Sequence, residues 1–197
     1  MEIHDHIQHH EEEALLAYTC YFPHKLMTIK YKNKSHFLES LLGLKLLEDL
    51  LLKTDTNIKL ADLRYTPYGK PYFMGQKLFC SLAHSAGMVM AALATEPIGI
   101  DLEKVDTQTV FPGSLLHPLL LNDIGRANWI RAWVHQEAVL KLFGWSNIQE
   151  SLKIYWKNRY EGEVPFYLAH PDVRRTHFRI ETIETISGYY AAKGHLC

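Results

Sequence analysis

The chain has 197 residues, of which 47% are hydrophobic and 22% charged, and its formal net charge is −1 at neutral pH. This balance lacks the basic excess of a nucleic-acid-binding protein, and no apolar run reaches the roughly 18 residues that span a bilayer. The cysteines have neither disulfide nor metal-site spacing, and the first residues lack the order of a secretion signal. We therefore expect a cytoplasmic protein with one sizeable core or two small ones and with no nucleic-acid or membrane partner.

The chain begins with a histidine-rich segment. His4, His6, His9 and His10 precede three consecutive glutamates. Such a segment could chelate a metal, but it is far more typical of a mobile polar terminus, and we assign it no role in the site. Residues 14–21 predict a first strand. Apolar periodicity then predicts a helix over residues 35–52, with Ser35 as its N-cap.

The middle of the chain predicts a hairpin. Residues 79–82 and 88–94 are typical of strands, and residues 84–87 form the turn between them. After Pro97 a further strand begins at Gly99. Beyond it we expect helices between residues 115 and 143, followed by strands near residues 152–157, 163–168, 177–185 and 188–193. This order predicts an α+β fold of two similar halves, residues 1–97 and 98–197.

Two acids share one face of the strand that begins at Gly99. Because successive side chains of a strand point to opposite faces, Ile100 and Leu102 would face a core while Asp101 and Glu103 lie about 6.6 Å apart on the other side. Adjacent carboxylates repel unless a cation lies between them, and a divalent ion is the usual solution. For an Asp-x-Glu pair taken alone, a solvated acidic face is the common alternative.

A second segment, residues 128–143, predicts a helix that ends at Gly144. Glu137 falls in the middle of an apolar stripe of this helix, and Lys141 extends the stripe. The apolar members of the stripe are Ile130, Trp133 and Val134. A surface i,i+4 pair would explain the spacing of the two charges, but not their place on the apolar side. Together with the strand acids, Glu137 would complete an oxygen-rich site for Mg²⁺ or Mn²⁺, with Lys141 beside it.

These two stretches belong to a series of four motifs. In chain order the series is Tyr68-Gly-Lys-Pro-Tyr-Phe73, Phe79-Cys-Ser-Leu-Ala-His-Ser-Ala-Gly87, Gly99-Ile-Asp-Leu-Glu103 and Trp133-Val-His-Gln-Glu-Ala-Val-Leu-Lys141. Weaker matches at Leu41-Leu-Gly43 and Gly188-Tyr-Tyr-Ala-Ala192 extend it over most of the chain. The series resembles the signature of the 4′-phosphopantetheinyl transferases of the surfactin-synthetase-activating type.

The resemblance implies a phosphopantetheinyl-transferase-like fold, with pseudo-two-fold halves and an active site in the cleft between them. It implies transfer of the phosphopantetheine arm of coenzyme A to a serine of an acyl or peptidyl carrier protein. The implied cofactor is Mg²⁺, and the by-product is adenosine 3′,5′-bisphosphate. The length of the chain fits a monomer rather than the trimer of the shorter holo-ACP-synthase type.

The resemblance also implies roles for individual residues. The implied metal ligands are Asp101, Glu103 and Glu137. Glu137 or Glu103 would accept the serine proton, and Lys141 would offset the pyrophosphate charge and could protonate the departing oxygen. Lys70 and His84 would contact the phosphates of the coenzyme, with His84 near the 3′-phosphate. Taken alone, Lys70 is equally a solvated lysine, and His84 is more typical of a residue that closes a tight turn.

The chain departs from the family pattern at several positions. Gln136 replaces a lysine before the motif glutamate, Val134 replaces a small hydroxyl residue, and Ala83 replaces a serine. Glu39 and Ser40 lie where an arginine for the coenzyme often precedes the Leu-Leu-Gly segment. Because each lost charge-assisted bond contributes about 1.5–3 kcal/mol, we expect weakened coenzyme binding. Three lysines upstream could compensate: Lys30, Lys32 and Lys34.

Two other functions stay open at this stage. One is a non-catalytic homologue that binds carrier protein or coenzyme A, which the departures motivate. The other is a Mg²⁺-dependent phosphohydrolase built on the same acids. Apolar residues between positions 107 and 125 are a candidate carrier-docking surface, although such residues are more often core. They are Phe111, Leu115, Leu116, Leu119 and Leu120.

Overall fold

The computed structural model describes residues 3–10, 13–20, 34–54, 56–105, 114–125, 128–152, 166–168, 177–183 and 187–196. Two β-sheets and several helices make the fold α+β, as predicted. The chain divides into two compact units, Met1–Ile98 and Gly99–Cys197.

The first unit is built on a six-stranded sheet. Its strands are β1 (Ile3–His10), β2 (Glu13–Cys20), β3 (Leu63–Tyr65), β4 (Pro71–Phe73), β5 (Phe79–Ser85) and β6 (Met88–Ala94). Their spatial order is β1-β2-β6-β5-β4-β3. The β2–β6 pair is parallel and the other neighbouring pairs are antiparallel. A single 3₁₀ turn, Leu60–Asp62, precedes β3.

Helix α1 (Lys34–Leu52) packs on this sheet, mainly against β6. The core between them consists of Leu46, Leu47, Leu50, Val89 and Ala91. β6 is buried along nearly its whole length, and α1 covers the face that carries Val89 and Ala91. The predicted helix is confirmed, but it begins at Lys34, so Ser35 lies inside its first turn and is not the N-cap.

The histidine-rich start is the clearest error of the sequence-based prediction. Residues expected to form a mobile polar terminus form β1, which pairs with β2 in antiparallel register from Ile3 opposite Cys20 to His10 opposite Glu13. Strand pairing satisfies backbone donors and acceptors whatever the side chains are, so polar composition alone does not exclude a strand. The neighbouring strand β2 was predicted within one residue of its bounds.

The predicted hairpin is confirmed as β5 and β6, which pair with Ser85 opposite Met88. The two residues between them, Ala86 and Gly87, have φ angles of 44° and 87°. Positive φ at both central residues is the signature of the type I′ turn, whose twist matches that of the flanking strands. Alanine rarely adopts this conformation, so the turn depends on support from its surroundings.

The described residues of the second unit form a four-stranded sheet and three helices. The strands are β7 (Ile98–Lys104), β8 (Phe166–Leu168), β9 (His177–Ile183) and β10 (Tyr189–Leu196), in the order β7-β10-β9-β8. The helices are α2 (Pro118–Ile124), α3 (Trp129–Phe143) and α4 (Ile148–Ser151). The predicted strands at 163–168, 177–185 and 188–193 correspond to β8, β9 and β10. Residues 153–157 of the remaining predicted strand lie outside the described residues.

Helix α3 is the centre of this unit. It packs on β10 and β9, and its Ala138, Val139 and Leu142 share a core with Phe178 and Ala192. The helix ends as predicted at Gly144, which has a φ of 71° and donates its N–H to Leu140 O.

Two residues of the candidate docking surface belong to the core. Leu116 and Leu120 are buried with α3 in the second unit, so the carrier-docking interpretation is wrong for them. Burying these leucines removes apolar area from water, which is the more favourable use of such side chains. Leu115 is half-buried, whereas Phe111 and the side chain of Leu119 lie outside the described residues.

No helix in the described part of the chain combines the length and the apolar character needed to cross a membrane.

Candidate functional site

Two glycines bring α3 close to the sheet of the second unit. Gly99 on β7 lies under the backbone of Ala138 and Leu142, so closely that a Cβ at position 99 would overlap the helix backbone. Gly194 on the neighbouring strand β10 faces the same turn of the helix at ordinary van der Waals distance. Because Glu137 and Lys141 each precede one of these two helix residues, this close packing places both charged side chains beside β7.

Asp101 lies in a buried part of β7. Its exposed fraction is 5%, and the residues from Ile98 to Leu102 are all buried, whereas Glu103 is half-buried. The solvated acidic face considered from the sequence is therefore wrong for Asp101. A buried carboxylate needs a charged or hydrogen-bonding partner to remain stable.

Lys141 supplies that partner. Its ammonium Nζ lies 2.6 Å from Oδ1 of Asp101, and the lysine side chain is 32% exposed. This ion pair joins a helix to a strand and does not run along the helix surface. The i,i+4 spacing of Glu137 and Lys141 is therefore not the main reason for the position of the lysine.

Glu137 lies close enough to both strand acids for their charges to shift its pKa. The pKa of the Glu137 carboxyl is raised to about 7, mainly by burial, next by the charge of Asp101 and least by that of Glu103. The Lys141 ammonium acts in the opposite direction. The three acids and the lysine that the sequence singled out therefore form one electrostatic group on β7 and α3, and Glu137 titrates near neutral pH.

This shift makes the stability of the metal-free protein depend on pH. The unfolded state ionises Glu137 near pH 4.5, but the folded state keeps the proton up to about pH 7, so this group lowers stability as pH rises through that interval. Glu137→Gln removes the titration. We expect the free energy of unfolding of the variant, relative to wild type, to increase by about 1–3 kcal/mol across the interval, allowing for partial exposure. Denaturant titrations of both proteins measure the difference, and a constant difference would contradict the raised pKa.

The donor set matches the ligand chemistry of a hard divalent ion. Carboxylate oxygens are what Mg²⁺ and Mn²⁺ prefer, and three acids with one lysine leave uncompensated negative charge. However, within the described residues no three His, Cys, Asp or Glu side chains converge on one point as a preformed metal site. Instead, the ammonium of Lys141 forms an ion pair with Asp101. The residues fit the ion chemically, and binding it requires side-chain rearrangement.

Two polar neighbours of Glu137 are more deeply buried than the glutamate itself. The predicted stripe is buried in part: Ile130 and Val134 are buried, whereas Trp133, Glu137 and Lys141 are half-buried. His135 and Gln136 are buried as well. The reason is that α2 and α4 pack on α3 in addition to the sheet. Burial lowers the pKa of the His135 imidazole to about 3, so this ring stays neutral.

Gln136 connects α3 to the start of α2. Its Oε1 accepts the backbone N–H of His117 at 2.9 Å, and its Nε2 donates to Leu115 O at 2.6 Å. The sequence marked Gln136 as a lost phosphate contact. Its two bonds and complete burial give it a structural role, which the lysine of the family pattern could not fill because it has no acceptor atom.

Replacing this amide tests that role. We expect Gln136→Leu to lower the free energy of unfolding by about 2 kcal/mol, because it removes a buried hydrogen bond to His117 N–H and a partly buried one to Leu115 O. Thermal or denaturant unfolding of the variant gives the value. A change below about 0.5 kcal/mol would show that the two bonds contribute little.

The other two predicted site residues, Lys70 and His84, lie in the first unit. The backbone of Lys70 closes a turn with Thr66: its N–H donates to Thr66 Oγ1 and its carbonyl accepts from Thr66 N. Burial lowers the pKa of the Lys70 ammonium to about 8, with Cys80 opposing the shift. The interpretation of Lys70 as a simply solvated lysine is therefore wrong.

His84 is held by an acid that the sequence marked only as a departure from the family. Its Nδ1 lies 3.0 Å from Oε2 of Glu39 on α1, and Glu39 is 2% exposed. The second oxygen, Oε1, accepts the N–H of Gly87 at 2.8 Å, which ties the strained turn to the helix. A signal for this existed in the sequence, since Glu39 falls on the apolar stripe of α1 just as Glu137 falls on that of α3.

No model of a known protein family matches the chain, and a comparison with curated protein sequences found no match.

Proposed function

We propose that the protein transfers the 4′-phosphopantetheine arm of coenzyme A to a serine hydroxyl of an acyl or peptidyl carrier protein. The observation that supports this most is the electrostatic group on β7 and α3. Two strand acids and one helix acid couple there, with a lysine beside them, at the positions of the two strongest motifs. The transfer would release adenosine 3′,5′-bisphosphate and would depend on Mg²⁺ or Mn²⁺.

The reaction needs a base for the serine proton. A carboxyl that titrates near pH 7 is well suited, because it is partly ionised and basic enough to accept a proton at neutral pH. Glu137 fits this role, since burial and the strand acids raise its pKa to about 7. Glu103 is the second candidate. The proton leaves the serine Oγ as that oxygen forms its bond to phosphorus, and the pyrophosphate bond on the other side breaks.

The reaction also needs charge compensation at the pyrophosphate. Asp101, Glu103 and Glu137 would hold the Mg²⁺, which when bound supplies electrostatic stabilisation of the phosphoryl oxygens. Lys141 contributes a cation already positioned by Asp101, and it would neutralise charge on the departing phosphate. Lys70, with its pKa lowered to about 8 by burial, remains mostly cationic at neutral pH and would contact a coenzyme phosphate.

The finer architecture belongs to the same proposal. We infer two similar α+β halves of a transferase-like fold, a monomeric state and a cytoplasmic location. The similarity of the two halves is supported by the fact that each unit combines a sheet with a helix packed on it.

A second function has a specific observation in its favour. The Lys141–Asp101 ion pair and the lack of a preformed three-acid metal site among the described residues fit a homologue that binds carrier protein or coenzyme A without catalysis.

One experiment separates the two functions. The protein is incubated with coenzyme A, Mg²⁺ and apo carrier proteins, and the carriers are weighed by mass spectrometry. A phosphopantetheine adduct supports transfer. Metal-dependent binding of coenzyme A in calorimetry without an adduct on any carrier supports the non-catalytic homologue. Loss of coenzyme without carrier would instead indicate a phosphohydrolase.

A further inference from the structure

We propose that the ammonium of Lys141 and a divalent cation compete for the carboxylate of Asp101. The lysine neutralises this carboxylate in the metal-free protein, and binding of the metal releases the lysine side chain toward the phosphates. The inference rests on the proposed function, which supplies the metal and the phosphates. It adds that the ion pair controls how tightly the metal binds.

The ion pair lies at the residue that a metal would need most. Nζ of Lys141 is 2.6 Å from Oδ1 of Asp101, and the Asp101 side chain is buried. The other two acids of the group, Glu103 and Glu137, are half-buried. Among the residues that the structure describes, no three side chains of metal-ligating type converge. In this arrangement the lysine is a cation of the chain itself at the place where a metal would bind.

The metal and the ammonium oppose each other at Asp101. A carboxylate can accept two partners, but cations that share one lie close together and repel strongly in a partly buried site. Widening the site would separate β7 from α3 at Gly99, where the strand packs against the backbone of Ala138 and Leu142. Movement of one flexible side chain is the smaller change, so we expect the lysine to leave.

Lys141 is built to move in this way. Its side chain is 32% exposed, and its flexible four-carbon stem lets the ammonium turn to solvent while the helix stays in place. The residue lies in the last turn of α3, where the helix dipole favours a positive charge. The released ammonium therefore stays beside the site, where it can contact a phosphate oxygen of the coenzyme.

Calorimetric titration of the full chain with Mn²⁺ alone tests the competition. We expect Lys141→Met to bind Mn²⁺ at least about tenfold more tightly than wild type, because methionine removes the competing cation and keeps much of the apolar stem. Lys193→Met is the matched control, since Lys193 lies 2.6 Å from Glu181 in the same unit and the variant loses the same charge. Its affinity should stay within about twofold of wild type.

Chemical labelling of wild type tests the release directly and needs no variant. An amine-reactive reagent is applied with and without saturating Mn²⁺, and mass spectrometry measures the modification of Lys141 and Lys193. We expect Mn²⁺ to increase the labelling rate of Lys141 severalfold, because the amine is no longer held against a buried carboxylate. The labelling rate of Lys193 should not change.

The outcomes are distinct. Equal Mn²⁺ affinities of wild type and Lys141→Met overturn the inference, and so do equal gains in both methionine variants, which would be an effect of net charge. Unchanged labelling of Lys141 with Mn²⁺ bound also overturns it. All three leave the proposed function standing. If neither wild type nor Lys141→Met binds Mn²⁺, the inference fails, and the carrier assay judges the proposed function separately. If Lys141→Met does not fold, labelling of wild type decides.

Discussion

Glu137→Gln is expected to reduce transfer of phosphopantetheine to a carrier protein by about 10²–10⁴-fold, the range typical for loss of a general base. The amide has nearly the shape of the carboxyl, but it cannot accept the serine proton and is a poorer ligand for Mg²⁺. Glu137 is half-buried and its carboxyl interacts electrostatically with Asp101, Lys141 and Glu103, so the substitution removes the acid at the centre of this group. The rate of carrier modification, followed by mass, measures the loss.

The pH dependence of the wild-type rate makes this prediction more specific. The base must be ionised, so the rate should rise with pH up to about the pKa of Glu137 and then level off. Bound Mg²⁺ would move the inflection downward, because a cation favours the ionised carboxyl. The residual rate of the variant should lack this inflection. An inflection that persists in the variant would assign the proton to Glu103 or to water.

Glu181→Gln is a suitable control for this experiment. Glu181 lies on β9 of the same unit, where it pairs with Lys193 at 2.6 Å and with His195 at 3.1 Å. The substitution removes the same charge and disturbs a comparable ion pair, but it affects no predicted site residue. We expect its transfer rate to stay within about twofold of wild type, a difference of roughly 0.4 kcal/mol in activation free energy. Similar losses in both variants would point to a general effect on the fold.

Gly99→Ala is expected to lower the free energy of unfolding by about 3 kcal/mol or more. A Cβ at this position would overlap backbone atoms of Ala138 and Leu142 and would lie 2.7 Å from Leu142 Cα. Backbone of a packed helix cannot move aside as the end of a flexible side chain can. Either the helix shifts away from β7, which separates Lys141 from Asp101, or the unit unfolds. Denaturant unfolding measures the stability, and the transfer assay measures the effect on the site.

Gly194→Ala provides the comparison. This glycine faces the same turn of α3, but its added Cβ would lie 3.5 Å from Ala138 O and 3.6 Å from Leu142 Cδ2, which is ordinary contact. We expect a change of less than about 1 kcal/mol, since the strand also loses a flexible glycine. Equal destabilisation by the two substitutions would show that strand flexibility, and not overlap with the helix, controls the result.

Periodicity predicted the main elements because it depends on neighbouring residues alone. The 3.6-residue pattern located α1 and α3, and turn residues located the β5–β6 hairpin. The same reasoning failed for β1, where strand pairing with β2 outweighs a polar composition. It also missed α4 and the short strands β3 and β4, which are too short to show a pattern.

In the candidate site, too, some features could be predicted from a single segment and others could not. An acid on an apolar stripe can be recognised from the sequence of one helix alone. This signal identified Glu137 and could have identified Glu39. The partner of each acid cannot be predicted from the sequence of a single segment. Glu39 meets His84 because α1 packs on the hairpin, and Gln136 bonds to the start of α2 because the chain returns there. Sequence reasoning therefore interpreted both residues as lost phosphate contacts, although both have partners inside the protein.

By itself, the sequence determined the long helices α1 and α3 and the β5–β6 hairpin, and it placed Glu137 on an apolar stripe, because these features follow from the spacing of residues along one segment. Only the tertiary structure decided that Lys141 pairs with Asp101, that a carboxylate oxygen of Glu39 lies beside His84, and that the pKa of Glu137 rises to about 7. The physical reason is that burial and Coulomb interaction depend on every atom packed around a group. Those neighbours come from segments that are far apart in the chain and meet only when it folds.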